Sequence, residues 1–360
     1  MSLAALLAPI DDPAALEARW RALEARASAP SFFLGWTWMG NWLAALAAAS
    51  LPLPHLLTIG EAGDDIALAL VGRGRKRRKL GAVPALWLNE SGDGEGDRPY
   101  VEYNDLLCVD GREGEARRAM AGMLEKDRRW SALHLSGVED EELLSGMGGI
   151  RRRTVADSAP AYHVDLAAVR AAGGDYLSLL SANTRSQIRR SLKDEAAAPA
   201  LERARDEGTA LDWLAQMARL NAGRHADNAW DSAFFRDFTR RLALAGLEDG
   251  SVEIARIGAG GEALGYLLNF VQAGRVMNYQ SAFAPPRTAR SKPGLMCHAA
   301  AIEEHAVRGA GLYSFLAGKD RYKQSLSTGA EQLHWLVLER CDWRLEAEAL
   351  ARRLLRRQPG

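Results

Sequence analysis

The chain has 360 residues, of which 48% are hydrophobic and 26% are charged, a balance that excludes an intrinsically disordered protein because enough apolar surface is present to offset the entropy of ordering. Its length favours two domains, each large enough to bury its own core. The 46 basic and 46 acidic side chains give a formal net charge of +0, which argues against a protein that wraps nucleic acid through a global positive field.

The amino-terminal region carries no pattern of a signal peptide or a membrane span. "MSLAALLAPIDDP" lacks a basic n-region, and two prolines, Pro52 and Pro54, interrupt the apolar stretch 42–59. The three cysteines are far apart in the sequence, which suits a reducing cytosol better than a disulfide framework. We therefore expect a soluble, cytoplasmic protein without an integral membrane segment.

Residues 1–155 are predicted to form a first α+β domain. An amphipathic start leads into an aromatic-rich helix over residues 32–50. Short β-like runs then cover 56–59, 66–71, 86–88, 105–109 and 132–135, with a helix over residues 115–128 before the last of them. The basic run "RGRKRRK", residues 73–79, is interpreted as the solvated turn of a hairpin; contact with a polyanion or a membrane surface is the alternative.

Residues 156–345 are predicted to form a second α+β domain, after a polar, Gly-rich crossover at residues 136–160. Helices are predicted over 173–195, 208–221 and 231–246, three antiparallel strands over 251–258, 262–271 and 275–283, a helix over 293–308, and strands over 312–316 and 332–338. The basic tail, residues 346–360, is expected to be a closing amphipathic helix.

One of the predicted helices carries a row of cations. Thr184 and Gln187 fit a capping box, which predicts that the helix starts at Arg185. Arg185, Arg189 and Lys193 then recur every four residues, and like charges at this spacing repel one another. The face is either an ordinary solvated surface or a site for a substrate carboxylate or phosphate, which the arginine fork suits.

The start of the helix over residues 293–308 has the features of an anion site. The loop "APPRTARSK" ahead of it supplies three cations, Arg287, Arg290 and Lys292. Pro293 fits the first helical position, where its missing N–H costs nothing. The amides of Gly294, Leu295 and Met296 would then point out of the helix end with a partial positive charge. We predict a diphosphate there; a plain helix start beside a solvated basic loop is the alternative.

A predicted strand over residues 312–316 ends just before a polar cluster. The cluster contains Lys319, Asp320, Tyr322 and Lys323. Ligands commonly bind at such strand ends in α/β sheets. Tyr322 could protonate a leaving thiolate, and Lys319 or Lys323 could hold an anionic or oxyanionic group. Asp320 has a structural alternative as the cap of a following helix.

Two further patterns are rejected, the first as a dinucleotide site and the second as a metal site. "GAGGEA", residues 258–263, fits a loose dinucleotide fingerprint, but it joins two antiparallel strands and opens no helix. His298 and His305 lie seven residues apart on one predicted helix, and no cysteine or carboxylate spacing completes a metal site around them. We expect these histidines to be structural and the protein to need no metal.

Two stretches resemble a known family. "PGLMCHAAAIEEHAVRGAGLYSFLAGKDRYK" and "YLSLLSANTRSQIRRSLK" look like the CelD-like acetyltransferases of the GNAT superfamily, which are associated with cellulose and exopolysaccharide biosynthesis and are related to the FemAB aminoacyl ligases. The resemblance implies two tandem GNAT-like folds, each a mixed, mostly antiparallel sheet flanked by helices. It also implies an acyl-CoA site in the second fold, between strands that splay apart beside the helix that starts at Pro293.

The resemblance assigns roles to particular positions. Arg290, Lys292, Pro293 and Gly294 occupy the place of the family's glycine-rich phosphate loop, although only one glycine is present. Ser314 stands where the family commonly has an aspartate.

Together these observations predict a transferase that moves an acyl group from acetyl-CoA or another acyl-CoA to an amine or hydroxyl, possible acceptors including a sugar or polysaccharide precursor. Tyr322 would be the acid, Asp320, Glu253 and His298 remain alternatives for the base, and Tyr279, Gln280 and Ser281 would line the acceptor groove. A FemAB-like transferase that uses charged tRNA is one alternative, and it would need a broad basic surface. A non-catalytic binding module is the other.

Overall fold

A computed structural model describes residues 3–224, 227–288 and 290–356 of the chain. The chain divides into two compact units: unit 1 comprises residues 1–158 and 333–360, and unit 2 comprises residues 159–332. The sequence places residues 333–345 in the second domain, whereas the structure assigns them to unit 1. The reason is strand pairing, since residues 334–339 pair with residues 132–138 of unit 1.

Among the described residues, the strands and α-helices of the first half of the chain are β1 (Ala4–Ala8), α1 (Pro13–Glu24), α2 (Trp36–Ala48), β2 (His55–Glu61), β3 (Asp64–Arg78), β4 (Gly81–Leu88), β5 (Leu107–Cys108), α3 (Glu113–Lys126) and β6 (Ala132–Val138). The remainder contains β7 (Arg152–Asp165), α4 (Leu166–Ala171), α5 (Ala182–Lys193), β8 (Ala200–Arg203), α6 (Glu207–Asn221), α7 (Ala233–Leu247), β9 (Val252–Ala259), β10 (Glu262–Gln272), β11 (Arg275–Phe283), α8 (Pro293–Val307), β12 (Leu312–Ala317), α9 (Arg321–Leu326), β13 (Gly329–Glu339) and α10 (Trp343–Arg356). The last part of the predicted tail, residues 357–360, lies outside the described residues.

Unit 1 has a mixed sheet in the order β1-β2-β3-β4-β6-β13, and the short β5 pairs with β3. The predicted aromatic-rich helix is confirmed as α2, and its side chains Trp38 and Trp42 are buried. Trp38 packs edge-on against Phe33, with ring centroids 4.8 Å apart. These rings fill the space between the helices, as large aromatics do in a core.

The basic run at residues 73–79 is not the turn that the sequence predicts. β3 continues to Arg78 and pairs with β4 from Val71–Leu88 to Arg78–Gly81, so the turn is confined to residues 79–80. The backbone pairing with β4 keeps this segment extended even though most of its side chains are exposed. Sequence analysis also missed β1, which forms because it pairs with β2.

Unit 2 has a mixed sheet in the order β7-β12-β11-β10-β9-β8. The predicted meander is confirmed, since β9, β10 and β11 pair antiparallel in succession. The predicted helix over 173–195 is confirmed only over Ala182–Lys193, because Gly173 and Gly174 have φ values of +69° and +86° and Leu180 and Ser181 are extended, with ψ values of 161° and 149°. The cap of α5 is Ser181, whose side chain accepts a hydrogen bond from the Thr184 amide, so the predicted capping box lies three residues too late.

The two units repeat one order of elements. Apart from the short β5, which lies between β4 and α3, the order β2, β3, β4, α3 and β6 of unit 1 matches the order β9, β10, β11, α8 and β12 of unit 2. The strand after the long helix pairs parallel with the third strand of this order, β4 in unit 1 and β11 in unit 2. Within the described ranges, no helix combines the length and the apolar character that crossing a membrane requires.

Candidate functional site

The parallel strands β11 and β12 separate soon after they meet. Their pairing joins Arg275–Met277 to Leu312–Ser314 and ends there, although β11 continues to Phe283. Each strand is also irregular at this point: the register of β11 against β10 shifts next to Asn278, and that of β12 against β7 shifts after Ser314. The two strands therefore splay apart towards their carboxyl ends, beside the start of α8.

Ser314 shapes the irregular part of β12. Its hydroxyl accepts a hydrogen bond from the Leu316 amide at 3.1 Å, and its side chain is fully buried. Leu316 has a φ of +58°, which is unusual for a branched residue. A short hydroxyl at position 314 thus stabilises the backbone that bends β12 away from β11.

The start of α8 agrees in part with the predicted anion site. We call this site, formed by the amides at residues 294–296 and the cations before them, the anion seat. Pro293 is the first helical residue, and the first turn carries no acidic residue. Lys292 occupies the N-cap position, where a lysine side chain cannot act as an acceptor for the helix amides. The Met296 amide, however, donates to the Lys292 carbonyl at 3.2 Å, so Met296 is wrongly included in the seat, and its side chain is buried in the core.

Gly294 is needed for packing as well as for access. A Cβ at this position would lie 3.0 Å from the Phe283 ring, so the absence of a side chain lets the end of β11 pack against the first turn of α8. The amides of Gly294 and Leu295 precede the first intrahelical bonds, because no helical carbonyl lies four residues before them. Of the three predicted amides, those of these two half-buried residues can therefore still face an anion.

Three cations of the preceding loop are exposed to solvent. Arg287 pairs with Glu262 and lies 3.4 Å from the Glu195 carboxylate, so it is engaged within the protein. Arg290 and Lys292 are exposed. Ala289, between them and Arg287, lies outside the described residues.

Ser191 of α5, which sequence analysis missed, holds this loop. Its buried hydroxyl donates to the Arg290 carbonyl at 3.1 Å and accepts from the Lys292 amide at 3.2 Å. Arg189 is two positions away, so on a helix it lies on nearly the opposite side. The guanidinium of Arg185 donates to the Ser178 carbonyl at 3.3 Å. The face of α5 that meets the loop is therefore the serine face and not the row of cations.

His298, on the second turn of α8, is enclosed by aromatic rings. It is fully buried, its ring lies 5.6 Å from that of Phe283 and 5.2 Å from that of Phe315, and it stacks on Tyr322 at 6.0 Å and 19°. Its Nδ1 lies 3.1 Å from the Tyr313 hydroxyl, and its buried Nε2 has no hydrogen-bond partner among the described residues.

The surroundings of His298 keep the imidazole neutral. Burial, with a smaller contribution from the charge of Lys323, lowers the pKa of His298 to about 3. The interpretation of His298 as a structural residue is confirmed in that the ring is in the core. It also touches both splayed strands and α9, a position that the sequence alone does not reveal.

The predicted cluster after β12 is brought together at the start of α9. Lys323 Nζ donates to the Ala317 carbonyl at 2.8 Å, and Tyr322 is 39% exposed above the His298 ring. A Cβ at Gly318 would lie 2.8 Å from Lys323 Nζ and 3.0 Å from Asp320 Oδ2. Glycine at this position therefore leaves room for both charged groups.

Two members of this cluster need separate mention. Asp320 is at the N-cap position of α9, but its side chain makes no capping hydrogen bond to the described residues. The structural alternative, in which the Asp320 side chain caps the following helix, is therefore not what the structure shows. Lys319 is exposed at the end of β12.

The three β11 residues predicted for an acceptor groove differ in environment. Tyr279 stacks on Phe270, with ring centroids 4.8 Å apart, and belongs to the core. Gln280 and Ser281 are half-buried. The Gln280 side-chain oxygen accepts from the indole of Trp230 at 3.1 Å, and the Ser281 hydroxyl donates to Asn278 at 2.8 Å.

Glu253, one of the candidate bases, is held by several partners. It forms ion pairs with Arg203 and Arg308 and a hydrogen bond of 3.0 Å with His305. Burial by itself would raise the pKa of Glu253, but the hydrogen bond and charge of His305, together with Arg203, lower the pKa to about 2. A carboxylate so strongly stabilised is a poor proton acceptor.

A cavity of about 880 Å³ lies around this cluster and is lined by Glu253, His305 and Arg308. It is at the carboxyl end of α8. A helix of this length is about 22 Å long, so the cavity is far from the anion seat at the other end. The cavity therefore lies away from the point at which β11 and β12 separate.

Unit 1 has the same parallel pair of strands, but there the opening is filled. β4 and β6 pair over Ala85–Trp87 and Ala132–His134. The side-chain amide of Asn104 then donates to the Leu88 and Ser136 carbonyls, at 3.0 Å each, and so bridges the two strand ends.

The matching helix of unit 1 is also unsuited to an anion. α3 starts with Glu113 and Glu115 in its first turn, and these carboxylates disfavour a phosphate. The repeated architecture thus has one open candidate site, in unit 2. In the ranges that the structure covers, no group of three His, Cys, Asp or Glu side chains could hold a metal ion.

Comparison with known proteins shows what this chain is similar to. Residues 182–324 match the family model of the acetyltransferase (GNAT) domain. That segment starts at α5 and ends in α9, so it contains the splayed strands and the start of α8. No curated protein matches the sequence significantly.

Solved structures with the same fold and TM-scores above 0.5 include the following three. The C-terminal domain (DUF2156) of a putative lysylphosphatidylglycerol synthetase from Agrobacterium fabrum has 13% identity and a TM-score of 0.56 over 94% of this chain and 95% of that chain. FemX has 11% identity and a TM-score of 0.56 over 93% and 98%. L-PGS from Bacillus licheniformis has 11% identity and a TM-score of 0.55 over 98% and 99%.

These identities show the fold alone. The family match covers less than half of the chain, so residues 182–324 are similar to an acetyltransferase (GNAT) domain, and the chain has the predicted mixed α/β fold class.

Proposed function

We propose that the protein transfers an acyl group from acyl-coenzyme A, such as acetyl-CoA, to an amine or hydroxyl of an acceptor, and that the reaction takes place where β11 and β12 separate. The observation that carries this proposal is the combination of a GNAT domain match with one open pair of parallel strands, next to a helix start that lacks acidic residues. A saccharide acceptor, as the CelD-like resemblance implies, is the finer part of the proposal.

The anion seat would take the diphosphate of the coenzyme. The amides of Gly294 and Leu295 point from the positive end of α8, and the exposed side chains of Arg290 and Lys292 add charge beside them. Ser191 supports the proposal because it fixes the backbone of both cationic residues. The pantetheine arm would then extend between the splayed strands.

The acceptor would attack the thioester carbonyl carbon directly. As the tetrahedral intermediate collapses, the carbon–sulfur bond breaks, the thiolate takes the phenolic proton of Tyr322, and the acceptor's proton passes to a base. Asp320 is the best placed candidate base, since its carboxylate lies near Lys323 and is not used as a helix cap. Lys323 is fixed by the Ala317 carbonyl at the strand end.

His298 is assigned a positioning role instead of the role of base. With a pKa of about 3, its imidazole would hold a proton far more weakly than an amine acceptor does. Its stacking with Tyr322, at a ring distance of 6.0 Å, instead fixes the phenol over the cleft. The lysines and Asp320 complete the polar side of the cleft.

A titration with acetyl-CoA and with acetylpantetheine tests the proposal, because the second compound lacks the diphosphate. We expect Arg290→Ala/Lys292→Ala to weaken acetyl-CoA binding about tenfold or more and to leave acetylpantetheine binding unchanged. The matched control is Arg118→Ala/Arg128→Ala, two exposed arginines of unit 1. If wild-type protein does not bind acetyl-CoA, or if both ligands weaken equally in the variant, the seat is wrongly assigned.

Transfer of an aminoacyl group is the second candidate. It is favoured by the fold similarity to the putative lysylphosphatidylglycerol synthetase, which extends over 94% of this chain. A FemAB-like enzyme would take that group from charged tRNA, so salt-sensitive retention of tRNA without acetyl-CoA binding would favour it. A protein that binds neither donor would be the non-catalytic alternative.

A further inference from the structure

Unit 1 carries a surface on which exposed apolar and basic side chains lie together. We call it the basic apolar face and define it as Lys76 and residues 78–80 of the β3–β4 hairpin together with the outer side of α10. Leu80, at the tip of the hairpin, is 46% exposed, and Trp343 and Leu350 on α10 are 66% and 58% exposed. Trp343 and Leu350 are seven positions apart and so lie on one side of the helix.

Contacts make this face continuous. A Cβ at Gly81, the residue after Leu80, would lie 3.7 Å from the Arg344 side chain. The Arg344 guanidinium lies over the Trp343 ring, 4.9 Å from its centroid. Behind this contact, Arg78 donates to Glu348 of α10 at 3.1 Å. The hairpin tip and the first turn of α10 are therefore held next to each other.

The face has a surplus of positive charge. Three of its exposed cations form no ion pair with any described residue: Lys76, Lys79 and Arg353. Arg75 and Arg77 alternate with Lys76 and Arg78 along β3 and so point to the other side of the strand, the side on which Arg73 pairs with Asp127. The carboxylates nearby are already engaged, since Glu339 and Glu348 pair with Arg78, and Glu346 pairs with Arg152. The surplus is thus not compensated within unit 1.

A groove of about 500 Å³ adjoins the same helix. Its apolar lining includes Val155 and Leu345, and its basic lining includes Arg152 and Arg353. Val155 is 41% exposed there. The groove combines an apolar wall with guanidinium groups, the chemistry that an acyl chain and a phosphate headgroup require.

We propose that the basic apolar face docks on the surface of an anionic lipid bilayer. Exposed Trp and Leu side chains on the outer side of an amphipathic helix enter the boundary between headgroups and acyl chains. Lys and Arg next to them are attracted by anionic headgroups. The inference concerns unit 1 alone and does not depend on the acyltransferase proposal.

Charge and polarity favour a bilayer over the other occupants. In a symmetric dimer through this face, three uncompensated cations would meet three identical ones. A nucleic acid would neutralise the charge, but its sugar–phosphate backbone offers nothing to the exposed Leu80 and Leu350. An anionic membrane surface satisfies both the charge and the apolar side chains.

Co-sedimentation of the full chain with vesicles tests the proposal. We expect binding to vesicles of phosphatidylglycerol and phosphatidylcholine in equal parts, none to pure phosphatidylcholine, and loss of binding at high salt. Of the ten tryptophans, all within the described ranges, Trp343 alone is exposed. Brominated phosphatidylglycerol should therefore quench part of the fluorescence of wild-type protein and much less of that of Trp343→Phe.

Charge reversal separates this face from general electrostatics. Each cation near an anionic surface changes the partition coefficient about fivefold, so Lys76→Glu/Lys79→Glu should lower it by about 25-fold or more. Arg118→Glu/Arg128→Glu changes the net charge equally elsewhere on unit 1 and should have a much smaller effect. Unchanged thermal unfolding would show that both variants are folded.

Several outcomes would overturn the proposal. Equal binding to neutral and anionic vesicles, or equal losses in the two charge-reversal variants, would remove the role of the face. Tight binding to RNA without vesicle binding would replace the bilayer with a nucleic acid. A dimer in sedimentation velocity that Trp343→Ala/Leu350→Ala dissociates would replace it with a second copy of the chain.

Discussion

Replacement of Glu253 by Gln tests whether this carboxylate is structural or catalytic. The wild-type pKa of about 2 lies some 2.5 units below the ordinary value of 4.5. At 1.36 kcal/mol per unit, this difference corresponds to about 3 kcal/mol of stability. Glu253→Gln should lose about this amount at neutral pH, and the loss of the counter-charge to Arg203 is already part of it.

The pH dependence follows from the sign of the shift. Because the folded pKa lies below the unfolded one, the contribution of Glu253 is fully present above pH 4.5 and is lost as the pH falls towards 2. Wild-type protein should therefore lose about 3 kcal/mol more than Glu253→Gln over this interval. The two proteins should approach each other in stability at the acid end.

Hydrogen exchange of peptides from β9 and β10 in a urea series reports the stability of unit 2 by itself. Glu202→Gln is the matched control, since Glu202 is 58% exposed in its ion pair with Arg256 and should change stability by at most about 1 kcal/mol. The reasoning is refuted if Glu253→Gln is as stable as wild type at neutral pH, or if the two pH profiles run parallel.

Substitutions at three further positions give distinct expectations. Tyr322→Phe should lower turnover by about 10²–10⁴-fold with coenzyme affinity unchanged, measured as release of coenzyme A thiol with amino-sugar acceptors. The control Tyr100→Phe, at an exposed position, should be neutral, and equal activity of the two variants would exclude Tyr322 as the acid. His298→Phe should keep the ring stacked on Tyr322 and most of the turnover, while His298→Ala should lose about 100-fold; equal losses would instead indicate a chemical role for the imidazole. Asn104→Ala should destabilise unit 1 by about 3 kcal/mol in urea denaturation, because it removes two buried hydrogen bonds between strand ends, and a stability equal to wild type would contradict the bridging role.

Local signals in the sequence determined the elements of unit 2 around the candidate site. Turn residues such as "GAGG" and "QAGR" separate the strands of the meander, and Pro293 and Gly309 mark the ends of α8. Each of these signals acts within a few residues, through the fixed φ of proline or the freedom of glycine at positive φ. The order of elements, and hence the resemblance to the GNAT fold, could therefore be predicted.

Tertiary structure decided which of these elements form a site. The extension of β3 through the basic run depends on pairing with β4, and the fixing of the loop before α8 depends on Ser191 of α5. The separation of β11 from β12 and the closure of the matching gap by Asn104 are also contacts between distant segments.

Glu253 illustrates the physical reason. In the sequence it is one carboxylate among 46 acidic residues, and its proton affinity depends on Arg203, Arg308 and His305, which are 50 or more positions away. Burial and long-range charge pairing arise only when the chain is folded, so the sequence by itself could name candidate groups but could not assign their chemistry.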